Sequence, residues 1–256
     1  MTAHIHQFLC LKDNFGVLIH DPETSRTACV DAPEAAPILT ALAEKGWDLT
    51  EILITHHHAD HTQGIPALKA KYPKARVVGP NKEAAKIGAL DLSLGEGDYV
   101  AVGSLTARVI EVPGHTSGHI AYHFEDEDVL FAGDTLFALG CGRPFEEPPR
   151  VLFHSLMKLA RLRGETQVYC GHEYTLSNAR FALAVDGGNA MVKARAAEVE
   201  RLVAAGAFTL PTTIALERAT NPFLRAEDED LKEAVGMPDA DEVDVFTYLR
   251  ERKNRG

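Results

Sequence analysis

The run Thr55-His56-His57-His58-Ala59-Asp60-His61 constrains this chain more than any other stretch. It follows the apolar segment Glu51-Ile52-Leu53-Ile54, which reads as a buried strand, so imidazoles and a carboxylate leave a strand end together. In extended chain successive side chains alternate, so His56, His58 and Asp60 would share one face while His57 points away. A bend before the helical-looking residues 64–72 would bring in His61. Nitrogen and oxygen donors packed in this way suit zinc, iron or manganese. A solvated polar loop is the alternative, but the run is internal and mixed with aspartate.

The pattern recurs. Ala107-Arg108-Val109-Ile110-Glu111-Val112 reads as a strand and runs into Pro113-Gly114-His115-Thr116-Ser117-Gly118-His119. Val129-Leu130-Phe131-Ala132 ends at Gly133-Asp134-Thr135, and Gln167-Val168-Tyr169-Cys170 ends at Gly171-His172-Glu173-Tyr174. Glycine beside the donor lets the backbone turn sharply and approach a site closely. One histidine at a strand end is noise. Four such ends predict a single cluster at the edge of a sheet, on loops held by a rigid scaffold.

His56-x-His58-x-Asp60-His61, with His115, Asp134 and His172 downstream, resembles the metallo-β-lactamase superfamily over nearly the whole chain. Gly133-Asp134-Thr135-Leu136-Phe137, Gly140-Cys141-Gly142-Arg143, Tyr169-Cys170-Gly171-His172-Glu173-Tyr174-Thr175, Asn221-Pro222-Phe223-Leu224-Arg225 and Arg250-x-x-Lys253 resemble glyoxalase II, the hydroxyacylglutathione hydrolases. The resemblance implies an α/β (α+β) fold, an αββα sandwich followed by a helical C-terminal domain. It implies that His56, His58 and His115 hold one metal, that Asp60, His61 and His172 hold a second, and that Asp134 bridges both. Two divalent ions per chain are the implied cofactors, zinc first, with iron or manganese tolerated by the same donors. Asp60 and Asp134 would hold a metal-bridging hydroxide that attacks a thioester carbonyl. The implied substrate is an S-2-hydroxyacylglutathione such as S-D-lactoylglutathione. The products would be glutathione and a 2-hydroxy acid such as D-lactate, in the second step of methylglyoxal detoxification.

The same resemblance places Arg143, Phe145, Tyr174, Arg250 and Lys253 around the substrate. Arg250 and Lys253, at i and i+3, can project from one helix face and grip a glutathione carboxylate. From charge alone the basic end 250–255 reads as a solvated helix terminus. The family often has lysine and tyrosine where this chain has Arg143 and Phe145, so the charge is kept and one hydroxyl is lost.

A chain of 256 residues with 45% hydrophobic and 25% charged residues reads as an ordinary globular protein with a sizeable core. A net charge of −11 argues against general nucleic-acid binding, and it requires a local basic patch if the substrate is anionic. No apolar run approaches a membrane span, and Met1-Thr2-Ala3-His4-Ile5-His6 lacks the features of a secretory signal, so a cytoplasmic monomer is expected. Cys10, Cys29, Cys141 and Cys170 form no C-x-x-C pair and read as reduced, small buried residues. Strands are expected at 5–9, 16–20, 27–31 and 51–54, with strand-like runs dominating 76–132. Helices are expected at 35–45, 66–72, 151–163, 177–185, 190–205, 227–235 and 241–253. The change of texture near Tyr174 predicts a catalytic domain over residues 1–175 and a helical substrate-binding domain over 176–256.

His57 should have a structural or surface role, and His119 either supports a ligand or is an ordinary core residue. Ser117 and Ser155 have no motif support as nucleophiles, and no phosphate-binding glycine loop is present. A mononuclear-iron persulfide dioxygenase is the nearest rival, and Gly140-Cys141-Gly142-Arg143 resembles a stretch of that group. The glyoxalase-type tail argues against it and against a β-lactamase or lactonase, and the net charge of −11 without an evident basic patch argues against a nuclease. A non-catalytic metal-binding protein on the same fold is the rival from another class.

Overall fold

The computed structural model describes residues 3–88 and 90–255. Met1 and Thr2, part of the amino-terminal reading, lie outside the described residues, as does Gly256 at the end of the expected tail. The chain divides into two compact units, Met1–Glu111 with Thr116–Gly133, and Val112–His115 with Asp134–Gly256.

The first unit contains β1 (His4–Cys10), β2 (Asn14–Asp21), β3 (Arg26–Val30), α1 (Ala35–Lys45), β4 (Glu51–Leu53), α2 (Ala59–Thr62), α3 (Ile65–Lys71), β5 (Arg76–Pro80), α4 (Ala84–Ile87) and β6 (Leu92–Leu94). Its first sheet has the order β1-β2-β3-β4-β5-β6. The pairs β1–β2 and β2–β3 are antiparallel, and β3 to β6 are parallel. Parallel neighbours end on the same edge. Val30 pairs with Leu53, and just beyond that pair the chain delivers Asp31 and Thr55 side by side. The helix α1 spans the residues its sequence predicts, and Gly46 ends it at φ 67°, a backbone region that glycine enters without a Cβ penalty. Its Ile38, Ala41 and Leu42 pack with Leu18, Cys29, Ile52 and Ile54 into one apolar core.

The same unit then forms an antiparallel meander of β7 (Tyr99–Val102), β8 (Leu105–Glu111), β9 (Ile120–Phe124) and β10 (Val129–Gly133). β8 and β10 flank β9 and run in one direction, so both end on one edge. His115 follows the first end and Asp134 follows the second.

The ligand-rich run departs from its expected extended form. After His58 the chain curls into the single helical turn α2, so Asp60 and His61 are consecutive helical residues rather than positions on an alternating strand. The curl satisfies the polar backbone at the strand end. The His58 carbonyl accepts from the His61 amide at 3.0 Å and from Thr62 Oγ1 at 3.0 Å.

The second unit begins its regular structure with the two-residue strands β11 (Leu136–Phe137) and β12 (Gly140–Cys141), joined at Leu139 with φ 56°. It continues with α5 (Pro149–Ala160), β13 (Gln167–Cys170), α6 (Thr175–Asp186), α7 (Ala190–Ala204), β14 (Thr212–Thr213), α8 (Ile214–Thr220), α9 (Glu229–Ala234) and α10 (Glu242–Arg255). The caps are side chains read directly from sequence. Asn189 accepts from Met191 and Val192 amides, Thr213 from Leu216, and Asp228 from Asp230 and Leu231. Leu139 packs with Ala179, Ala182, Val192, Ala196 and Val199 in a core of this unit. The helical C-terminal region is therefore present. Among the described residues no helix is long and apolar enough to cross a membrane. Cys10, Cys29, Cys141 and Cys170 are free and buried.

Candidate metal centre

All four strand-like runs read from the sequence are strands or strand ends, and each delivers its donor within a few residues. In the first unit the parallel ends of β3 and β4 bring Asp31 to the ligand run. Asp31 accepts from the Thr55 amide at 2.8 Å, from Thr55 Oγ1 at 2.9 Å, and from His61 Nδ1 at 2.7 Å. Since Thr55 spends its only hydroxyl proton on Asp31, its oxygen accepts from His56 Nδ1 at 3.0 Å. One buried carboxylate therefore fixes two imidazoles. Both carry their proton on Nδ1, and both present Nε2 as a lone pair. His56 Nε2 lies 3.1 Å from His58 Nδ1. The His56 and His61 rings are 4.1 Å apart.

Asp60 is also held. Asn14, at the start of β2, donates from Nδ2 to Asp60 Oδ2 and to the Asp60 carbonyl, both at 3.1 Å. His57 turns to Glu83, whose Oε2 accepts from the His57 amide at 2.7 Å and contacts His57 Nδ1 at 2.9 Å. Glu83 Oε1 accepts the Gly118 amide at 2.9 Å, so one buried acid ties the ligand run to the loop before β9. His119 is buried and stacks on His56 with centroids 4.6 Å apart. Gly133, at φ 50°, must lack a side chain, because a Cβ would stand 2.7 Å from both the His119 ring and Thr55 Oγ1.

In the second unit Asp134 Oδ2 lies 3.5 Å from His115 Nε2 and 3.3 Å from His172 Nε2. His115 Nδ1 donates to the Arg143 carbonyl at 2.8 Å. A carbonyl can only accept, so the proton is on Nδ1 and Nε2 faces the carboxylate as a lone pair. Two acceptors converging in a buried place are satisfied by a cation between them. The donor set thus fits a divalent metal, with imidazole tautomers fixed from outside. Gly142 makes this approach possible, since a Cβ there would stand 2.0 Å from the Asp134 carbonyl oxygen.

The expected substrate residues also lie in the second unit. Tyr174 stacks flat on His172 at 4.7 Å and is 39% exposed, and Phe145 packs on His115 at 5.2 Å while 63% exposed. Such open aromatic surface beside polar donors offers an apolar wall for a ligand. Arg143 is exposed. Arg250 and Lys253 lie on α10, but their environments differ. Arg250 is buried, lies over the Phe223 ring at 5.0 Å, and donates from Nη1 to the Cys141 carbonyl at 2.8 Å. Lys253 is half-buried over the Phe181 ring at 5.2 Å. Burial, then Arg250 and Arg143, lower its pKa to about 8.

Sequence reading missed Asp31, Asn14 and Glu83. A signal for Asp31 was present, because the strand expected at 27–31 ends in a carboxylate just as the other runs end in donors. Glu83 had none, since its partners, the His57 amide and ring and the Gly118 amide, are far away in sequence.

Two family models together match residues 23–256. The metallo-beta-lactamase superfamily model covers 23–172, and the model for the hydroxyacylglutathione hydrolase C-terminus covers 173–256. The chain is 54% identical over 255 residues to a hydroxyacylglutathione hydrolase of Nitrobacter hamburgensis, with 100% of both chains covered. It is 55% identical over 247 residues to that of Rhizobium etli, with 96% of each covered. Among solved structures it resembles ETHE1 from Myxococcus xanthus, with a TM-score of 0.70, 27% identity, and 98% and 91% of the two chains covered. The BLEG-1 B3 metallo-beta-lactamase matches with a TM-score of 0.67 at 22% identity, covering 86% of this chain and 99% of the other, a likeness of fold alone.

Proposed function

Since this chain belongs to the hydroxyacylglutathione hydrolases, thioester hydrolases on the metallo-β-lactamase fold, we propose that its histidines and aspartates form a binuclear centre for glutathione thioesters. His56, His58 and His115 would hold one ion, Asp60, His61 and His172 would hold the other, and Asp134 would be shared by both. The reading rests on one observation above all: a single oxygen, Asp134 Oδ2, lies within 3.5 Å of the Nε2 atoms of His115 and His172, which are assigned to different ions. Zinc is the first assignment, because tautomer-fixed imidazoles and carboxylates suit it without demanding redox chemistry.

When bound, such ions polarise a carbonyl and lower the pKa of a bound water to about 7. The chain's own residues do the rest. Asp60, its carboxylate aimed by Asn14, orients the attacking water and takes its proton. Asp31 keeps His56 and His61 in the ligand tautomer throughout. The thioester then breaks at its C–S bond, and the thiolate of glutathione is a good enough leaving group to need little acid help.

Lys253 and Arg143 supply the local positive charge that an anionic substrate needs on a protein of net charge −11. Lys253 receives a glutathione carboxylate. Arg250 contributes from the edge not committed to the Cys141 carbonyl. Tyr174 and Phe145 flank the substrate with apolar surface. In this division, residues 1–175 carry the metal ligands and residues 176–256 carry α10 with its cations. The preferred acyl group is a 2-hydroxyacyl group, D-lactoyl first.

The test is thiol release from S-D-lactoylglutathione by the purified full chain, with metal content measured on the same sample. Rapid release with close to two ions per chain supports the reading. No release, with one iron per chain and oxygen uptake on glutathione persulfide, replaces it with a dioxygenase. Tight metal binding without hydrolysis of any thioester leaves a binding protein.

A further inference from the structure

The motif Asn221-Pro222-Phe223-Leu224-Arg225 has no part in the chemistry above, yet its asparagine is fully buried with charged and polar company. Asn221 Nδ2 faces three acceptors: the Gly140 carbonyl at 2.9 Å, the Phe137 carbonyl at 3.2 Å, and Glu217 Oε2 at 2.9 Å. Its Oδ1 accepts the Phe223 amide at 3.0 Å. Glu217, also fully buried, accepts the Leu139 amide at 2.7 Å on Oε2 and Thr212 Oγ1 at 2.6 Å on Oε1. Asn178 donates to the Ala138 carbonyl at 2.9 Å. Arg250 takes the Cys141 carbonyl.

Five of these bonds end on the β11–β12 hairpin, and the other three tie Asn221 and Glu217 to each other, to Phe223 and to Thr212. Polar backbone from Phe137 to Cys141 is claimed, residue after residue, by side chains of α6, α8, the residue after α8, and α10. The hairpin is too short to hold itself, with two residue pairs and a left-handed Leu139 at its tip. Yet it runs from Asp134, the bridging carboxylate of the proposed centre, to Arg143, which faces the substrate, and its Phe137 packs edge-on against Tyr174 at 5.5 Å.

We infer that Asn221 and Glu217 are positioning residues for the thioesterase reaction: as one buried hub they hold the β11–β12 hairpin so that Arg143 and Tyr174 meet the glutathione moiety. This rests on the functional reading above. Neither residue touches substrate. A hub made only for stability would change melting temperature and leave the substrate affinity of the folded protein alone. A positioning hub changes affinity.

The experiment uses the full, metal-loaded chain, with wild-type turnover measured first. Asn221→Asp keeps the shape but removes both donors, and Glu217→Gln keeps an acceptor for the Leu139 amide. Asn221→Asp should raise KM for S-D-lactoylglutathione about tenfold with kcat within about twofold and metal content unchanged. Amide hydrogen exchange over residues 136–141 should quicken about tenfold or more. Glu217→Gln should stay close to wild type in both readouts, and Glu217→Ala should follow Asn221→Asp. If Asn221→Asp yields no folded protein, Asn178→Ala, which removes the single bond to the Ala138 carbonyl, should raise KM about two- to threefold. Faster exchange with an unchanged KM overturns the positioning role, and unchanged exchange overturns the tether. A wild-type chain that releases no thiol overturns the functional reading instead, and turnover of the wild type separates the two failures.

Discussion

Asp31 does most to fix the donor cluster of the first unit, although it is not itself proposed as a ligand. It sits just past β3 at φ 56°, a region uncommon for aspartate, and three donors from Thr55 and His61 hold it there. Removing it would free His56 and His61 to take the wrong tautomer. Asp31→Ala should therefore weaken metal binding about 10- to 100-fold, read by competition with a chelator of known affinity. An unchanged affinity would mean that the Nδ1 partners do not matter. Lys253 carries a prediction in pH. Burial lowers its pKa to about 8, so its cation is present below that pH and lost as pH rises through it. KM for the glutathione thioester should climb above pH 8 and the rise should vanish in Lys253→Gln, in a pH series of initial rates. At this scale the donors were legible, because histidines and acids beside glycines at strand ends announce themselves by type and spacing. The supports Asn14 and Glu83 were not, because nothing in their own neighbourhoods distinguishes them from surface acids and amides, while Asp31 carried only the signal of the strand end it follows.

Among elements, the ones that followed their sequence most closely are those whose forces are local. α1 has its apolar face and a glycine stop within its own residues, and α7 has Asn189 as its cap. α8 escaped notice because it is seven residues long, and its Glu217 is satisfied by the β11–β12 hairpin and Thr212 rather than by exposure. Burial pushes the Glu217 carboxyl up from its ordinary range, and donated hydrogen bonds oppose that. The helical turn α2 likewise replaced an expected extended segment, since backbone satisfaction beyond the strand end outweighed strand alternation. The loop Gly140-Cys141-Gly142-Arg143 shows what an element-level glycine does. Gly142→Ala would drive a Cβ into the Asp134 carbonyl oxygen and push apart the carboxylate and His115. It should lower kcat more than tenfold and reduce metal content, although position 142 ligates nothing; a variant with normal metal content and rate would show that the hairpin yields freely.

For the whole molecule, the structure groups Asp134–Gly256 with Val112–His115 in one compact unit, so three of the strand-end donors, His115, Asp134 and His172, share a unit with the helical tail. Leu139 is buried among Ala179, Ala182, Val192, Ala196 and Val199, all from that tail. A chain ended at residue 175 would lack that core, expose Leu139, and leave the hairpin's carbonyls and the Leu139 amide without their side-chain partners. It should show no cooperative melting transition by calorimetry, whereas the full chain should; a sharp transition in the short chain would make the tail an independent addition. The fold class came with the family that the sequence resembles; the sequence by itself determined the strand ends that bear donors, the donor residues and the helical character of the tail. Each of those is written in short-range patterns of residue type and period. Only the tertiary structure decided which acid orients which imidazole, that the ligand run ends in a helical turn, and that Asn221 and Glu217 hold the hairpin between Asp134 and Arg143. Those bonds join residues far apart in the chain, and a hydrogen bond across 80 residues of sequence leaves no periodic trace to read.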